Sequence, residues 1–170
     1  MFTGPYQNET SSDGIRDTPH IFSAKNQDRY PLMGKITSFS VPYEEETYYV
    51  DVISNSSVSN FHFDVETKSI SFNVTESAPT TYFCRVTIPY TLLEHPYNVT
   101  VDGLPPTLLN EIPNLNNTYI MLYFTYSHVA HEVTIIPEFS PTSVLLLSVV
   151  LVATSAMLLR KAHKNRDIIK

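Results

Sequence analysis

The sequence predicts an all-β protein, a small antiparallel immunoglobulin-like β-sandwich followed by one C-terminal transmembrane α-helix. Three observations carry that expectation. Between Lys35 and Ile136 short runs alternate apolar and polar side chains, the period of strands with one face buried. Tyr and Phe together number 20 while charged residues make up only 16%, too aromatic and too weakly charged for a mainly disordered chain. Val144 to Leu159 is a run of 16 residues without a charge. At 170 residues the chain has room for one domain of ordinary size and an appendage.

Residues 1–34 form the first segment, which is loop-rich. FTGPYQNETSSDGIRDTPHIFSAKNQDRYPLM is dense in Gly, Pro, Asn and Asp and has almost no apolar period, so alone it could not bury a core. Asp13, Asp17 and Asp28 raise a calcium reading, but their spacing is not that of an EF-hand loop. Turn-forming Asp beside Gly or Pro accounts for them better. Gly4-Pro5-Tyr6-Gln7-Asn8, Asp13-Gly14-Ile15, Asp17-Thr18-Pro19 and Asn26-Gln27-Asp28-Arg29-Tyr30-Pro31-Leu32 together resemble the last coil of NosD-like right-handed parallel β-helix proteins, of the carbohydrate-binding and sugar-hydrolysis type. The likeness departs at Ser11, Arg16 and His20, where that pattern tends to Gly, Gly and Tyr. It implies stacked rungs upstream, because one terminal coil cannot cover its own face. Those rungs are not in this sequence, so the resemblance carries no sugar-processing activity onto this chain. The stretch before Ile15 also lacks the basic and apolar regions of a signal peptide. The expectation is therefore that Met1 is not the true beginning of the protein; the alternative is a tail-anchored cytosolic domain.

Residues 35–136 are the predicted sandwich ectodomain. Seven strands are expected, at TYYVDVI, SNFHFDV, SISFNVT, TYFCRVTI, YNVTVDG, TYIMLYFTY and HEVTII. Phe61, Phe63 and Val65 answer Ile70, Phe72 and Val74 across a turn at Glu66 to Ser69, a hairpin. PYTLL after Ile88 breaks the alternation and reads as a turn or one helical coil. The expected core is Tyr49, Phe61, Phe63, Ile70, Phe72, Tyr82, Cys84, Val86, Ile88, Val99, Ile120, Leu122, Phe124, Val133 and Ile135. Cys84 is the one cysteine, closes no intrachain disulfide and reads as a small buried side chain.

No nucleophile motif or glycine-rich phosphate loop interrupts these strands, so no enzymatic activity and no cofactor is expected. His128 and His131, three apart on a strand, would point to opposite faces, and no metal site is expected from them. Glu44, Glu45 and Glu46 read as a solvated loop. Asn8, Asn55, Asn73, Asn98 and Asn116 each head a glycosylation sequon, as befits an exported glycoprotein.

The C-terminal part is expected to comprise a linker at 137–143, a transmembrane helix at 144–160 and a basic cytoplasmic tail at 161–170. Extended back to Phe139 the apolar stretch is 21 residues, roughly 30 Å as a helix, the thickness of a bilayer's hydrocarbon core. A buried core helix is the rival reading, but no other long helical pattern offers it a partner. Residues 1–142 carry a net charge of −10, and the tail after Leu159 carries +4, led by Arg160, Lys161, Lys164 and Arg166. The positive-inside rule then puts the tail in the cytoplasm and the acidic body outside, a single-pass arrangement in the cell membrane. The acidic body also argues against nucleic acid as a partner. Pro137-Glu138-Phe139, a hydrophobic span and a basic cluster, in that order, resemble the PEF-CTERM sorting signal of archaeal cell-surface proteins. The strands before it resemble the membrane-proximal β-domain of such proteins. That resemblance implies a lipid bilayer and an archaeosortase-type transpeptidase as partners, and a role as stalk or tether of a surface glycoprotein. The alternatives are a binding module for glycan or a neighbouring surface protein, with Tyr119 and Tyr123 on one strand face, and an accessory part of a NosD-like carbohydrate-binding protein.

Overall fold

The computed structural model describes residues 13–16, 18–75, 82–127 and 130–138, with 154, 155 and 157. The chain divides into two compact units after Pro137, and the first is all-β with antiparallel sheets. Eleven strands occur among the described residues: β1 His20–Ser23, β2 Asn26–Asp28, β3 Lys35–Tyr43, β4 Glu46–Ser54, β5 Ser57–Asp64, β6 Ser69–Thr75, β7 Tyr82–Pro89, β8 Tyr97–Val101, β9 Leu108–Pro113, β10 Tyr119–Tyr126 and β11 Ala130–Pro137. β1 and β2 pair with each other; β3-β4-β7-β10-β9 make a five-stranded sheet and β5-β6-β11-β8 a four-stranded one.

The two larger sheets share one apolar core. Val50 and Val52 of β4, Cys84, Val86 and Ile88 of β7, and Ile120, Leu122 and Phe124 of β10 meet Ile70, Phe72 and Val74 of β6 and Val133 and Ile135 of β11. Each set is spaced by two, because successive strand residues face opposite sides. At one edge the layers are stapled by ring contacts, Phe39 stacked on Phe61 at 4.3 Å and Tyr43 edge-on to Phe63 at 5.8 Å. Where the chain crosses from β4 to β5, the buried Ser54 and Ser56 and the exposed Asn55 hold it. Ser54 Oγ donates to the Phe83 carbonyl at 2.6 Å, Phe83 N–H donates to Asn55 Oδ1 at 3.0 Å, and Tyr126 O–H donates to Ser56 Oγ at 2.8 Å.

Three expectations are corrected. The connectivity is not that of an immunoglobulin domain, whose last strand lies at a sheet edge; here β11 lies inside the four-stranded sheet, between β6 and β8. Alternation reports which face a residue takes, not which strand is its neighbour. The span from Lys35 onward holds nine strands, not seven, and the two missed, β3 and β9, are the edges of the five-stranded sheet. In the expected hairpin Phe63 does oppose Ile70, but a register shift between Ser59 and His62, with Asn60 at φ 53°, breaks the match further along, and Val65 lies beyond β5. PYTLL is a turn whose Leu92 and Leu93 are buried in the core, their N–H groups donating to the Pro89 carbonyl.

The predicted transmembrane helix falls almost wholly outside the described residues; of its span, residues 154, 155 and 157 are described and are helical. Among the described residues no helix is long and apolar enough to cross a membrane.

Candidate functional site

The five-stranded sheet has a second face, turned away from the shared core, and its two ends differ. At one end Ile53 of β4, Phe83 of β7 and Tyr123 of β10 are buried, with Met33 and Leu108 packed on them. Residues 13–34 supply part of that cover. Gly14 lies so close that an added Cβ would stand 3.1 Å from the Phe83 ring, and its carbonyl accepts from Met33 N–H at 2.9 Å. Arg85 Nη1 donates to the Asp13 carbonyl at 3.3 Å.

Beyond Arg85 the cover by described residues stops and a cleft of about 420 Å³ opens, within the range of ligand pockets. Register builds it. Asp51 opposes Thr87 on β4 and β7, Met121 opposes the same Thr87 from β10, and Tyr119 opposes Pro89. Tyr49, two residues from Asp51 on the same side of β4, is 60% exposed, and Tyr119 is 39% exposed. The polar groups of this lining are the half-buried Asp51 and Thr87 and the guanidinium of Arg85. Arg85 Nη2 rests against Met121 Sδ at 2.6 Å, and its Nε is buried with no partner among the described residues. The Asp51 carboxylate forms neither a hydrogen bond nor an ion pair among the described residues. Two presented rings beside an open acceptor and a hydroxyl make a surface able to hold a flat polar molecule.

Sequence reasoning found half of this. Tyr119 is exposed as the binding-module reading needs, but Tyr123 is fully buried. Tyr49, placed in the expected core, is the exposed partner instead. The signal was present in TYYVDVI: Val50 and Val52 are apolar neighbours of one parity, which puts Tyr49 with Asp51 on the other face.

Elsewhere, a hollow between β8 and β11 holds Asp102 and His131. The Asp102 carboxylate bonds His131 Nδ1 through Oδ2 and accepts from Glu132 N–H at 2.8 Å through Oδ1, while His131 Nε2 lies 2.6 Å from the Ser127 carbonyl. The bond from His131, then that from Glu132, holds the Asp102 carboxyl below the usual carboxylate range. His128, the expected companion of His131, lies outside the described residues. His95 Nε2 pairs with Glu111 Oε2 at 2.9 Å beside Tyr90 in an open hollow of about 500 Å³. Among the described residues no group of three or more metal-ligating side chains converges. Asp13 and Asp28 cap turns, accepting from Ile15 N–H and Tyr30 N–H. Glu44, Glu45 and Glu46 are solvent-exposed at the β3–β4 turn.

Cys84 is fully buried, and desolvation pushes its thiol up to about 11. Asn55, Asn98 and Asn116 are exposed, whereas Asn73 is half-buried inside β6. Pro137 closes β11 opposite Tyr97, and Glu138 is exposed. Asn8, Phe139, Arg160, Lys161, Lys164 and Arg166 lie outside the described residues. No protein-family model, no curated protein and no solved structure matches this chain.

Proposed function

We propose that this chain is a membrane-anchored extracellular β-domain, the stalk that tethers a larger cell-surface glycoprotein, without catalytic activity of its own. The observation that carries the reading is the order of parts at the C-terminus. β11 ends at Pro137, and after six residues the uncharged run begins at Val144 and is closed by Arg160, Lys161, Lys164 and Arg166. On this reading residues 144–160 cross the bilayer once as a helix, and the basic flank fixes the orientation against the cytoplasmic leaflet. Pro137-Glu138-Phe139 serves as the sorting element, with an archaeosortase-type transpeptidase as its processing partner. The upstream neighbour is a β-helix of the NosD-like kind, whose final coil residues 1–34 represent. Exposed Asn55, Asn98 and Asn116 fit glycosylation on the outer side of the membrane.

Protease added to intact cells tests the sidedness. Cleavage within residues 1–136 with the C-terminal tail protected is the expected result. A body protected in sealed cells and cut only after lysis overturns the reading. Carbonate washing gives a second check: uncleaved chain stays in the membrane fraction.

A further inference from the structure

We propose that the cleft on the outer face of the five-stranded sheet binds a neutral oligosaccharide, its rings laid on Tyr49 and Tyr119 and its hydroxyls on Asp51 and Thr87. This goes beyond tethering, which needs no ligand. β4 and β10 are separated by β7, so the two tyrosines are two strand spacings apart, about 10 Å, roughly the length of a disaccharide. Sugars whose hydroxyls are equatorial present flat C–H faces, and an aromatic ring held open on a sheet is a surface for them.

The polar part of the lining argues for a neutral ligand. Asp51 is half-buried and without a partner among the described residues, an acceptor that costs free energy to leave unsatisfied as the cleft is filled. Arg85, on the neighbouring strand and in the same lining, spends one nitrogen on the Asp13 carbonyl and rests another against Met121 Sδ. A uronate or sulfate would meet the Asp51 carboxylate, whereas a sugar hydroxyl can donate to Asp51 and accept from Thr87. The cover of residues 13–34 ends at Arg85, so the same face is closed where it is purely apolar and open where it is mixed.

The test is calorimetric titration of the full chain in lipid nanodiscs, free of sugar-headed detergent, with cellohexaose as the neutral β-linked probe and hexagalacturonate as the charged one. Saturable binding of cellohexaose is expected. Tyr49→Ala and Tyr119→Ala should each weaken it by about 10-fold, Asp51→Asn should weaken it, and Tyr49→Phe and Tyr119→Phe should retain it. Tyr30→Ala, at a tyrosine 74% exposed elsewhere, should bind as the parent does. Tyr49 and Tyr119 are exposed, and a far-ultraviolet circular dichroism spectrum and melting transition matching the parent's confirm that their variants are folded. The proposal is overturned by any of four results: no binding of cellohexaose, undiminished binding by the alanine variants, or tighter binding of hexagalacturonate that Asp51→Asn improves. The fourth is binding that appears only after residues 1–12 are removed, which would make the chain itself the occupant.

Discussion

Gly34 has no room for a side chain: a Cβ there would stand 2.3 Å from both the carbonyl carbon and the oxygen of Ser54. Backbone cannot swing away as a flexible side chain does, so Gly34→Ala is expected to cost about 3 kcal/mol in denaturant unfolding. Gly103, at φ +75° with nothing within 4 Å, faces only conformational strain, and Gly103→Ala should cost about 1 kcal/mol. Equal losses in the two variants would contradict the close approach. Cys84 is closed off by burial, and a soluble disulfide reagent should label it only at the rate of unfolding. Because its folded-state thiol is pushed up to about 11, stability should fall as pH rises from the free thiol's range toward that value. Asp102 works in the opposite direction. Its carboxyl is held low, so the stability it gives is present above the ordinary carboxylate range and is lost as pH falls through the depressed value. The group is largely exposed, so the effect is well under 1 kcal/mol. Asp102→Asn should flatten the acid limb of the unfolding midpoint between pH 6 and 2, and an unchanged limb would refute the assignment.

The elements were legible where a strand is buried on one side. SISFNVT is β6 from end to end, and TYIMLYFTY, TYFCRVTI and HEVTII match β10, β7 and β11 to within a residue or so. β3 and β9 were not legible because the Ser, Asn and Pro of KITSFSVPY and LLNEIP, which edge strands tolerate, dilute the apolar alternation that the other two edges, β5 and β8, keep. Tertiary pairing, not local pattern, makes them strands. The turn between β9 and β10 bears on the candidate cleft. Asn114 Oδ1 accepts from Thr118 N–H at 2.8 Å and from Tyr119 N–H at 3.2 Å, and its Nδ2 donates to Thr118 Oγ1 at 2.7 Å. One side chain thus fixes the start of β10, where Tyr119 stands. Asn114→Ala should cost about 1 kcal/mol and weaken ligand binding although Asn114 touches no ligand. Loss of stability with cellohexaose affinity unchanged would separate the turn from the cleft.

At the scale of the whole first unit, the segment before β3 is part of what makes the sheet stable. Its composition says that it cannot bury a core of its own, and it does not: it borrows one, closing over Ile53, Phe83 and Tyr123, which an isolated sandwich would leave facing water. Nothing in the alternation of TYFCRVTI distinguishes Phe83, buried from outside the sandwich, from a solvent-facing residue of the same parity. That is why sequence reasoning stopped at the sandwich's inner face. Burying one large aromatic side chain contributes about 2 kcal/mol, and Phe83 and Tyr123 are 1% and 0% exposed. Removing residues 1–34 should therefore cost several kcal/mol, lower the melting temperature and raise binding of an apolar dye to the newly opened face. Phe83→Ser with Tyr123→Thr in the truncated chain should suppress the dye signal without restoring stability. A truncated chain that melts with the parent and stays dark to the dye would show that the sandwich keeps that face closed unaided. Because residues 13–34 lie between whatever precedes them and β3, tension on the upstream chain would reach the sheet through this same contact. Pulling from the N-terminus in a single-molecule experiment should release these residues in a first, low-force step before the β-sheets yield.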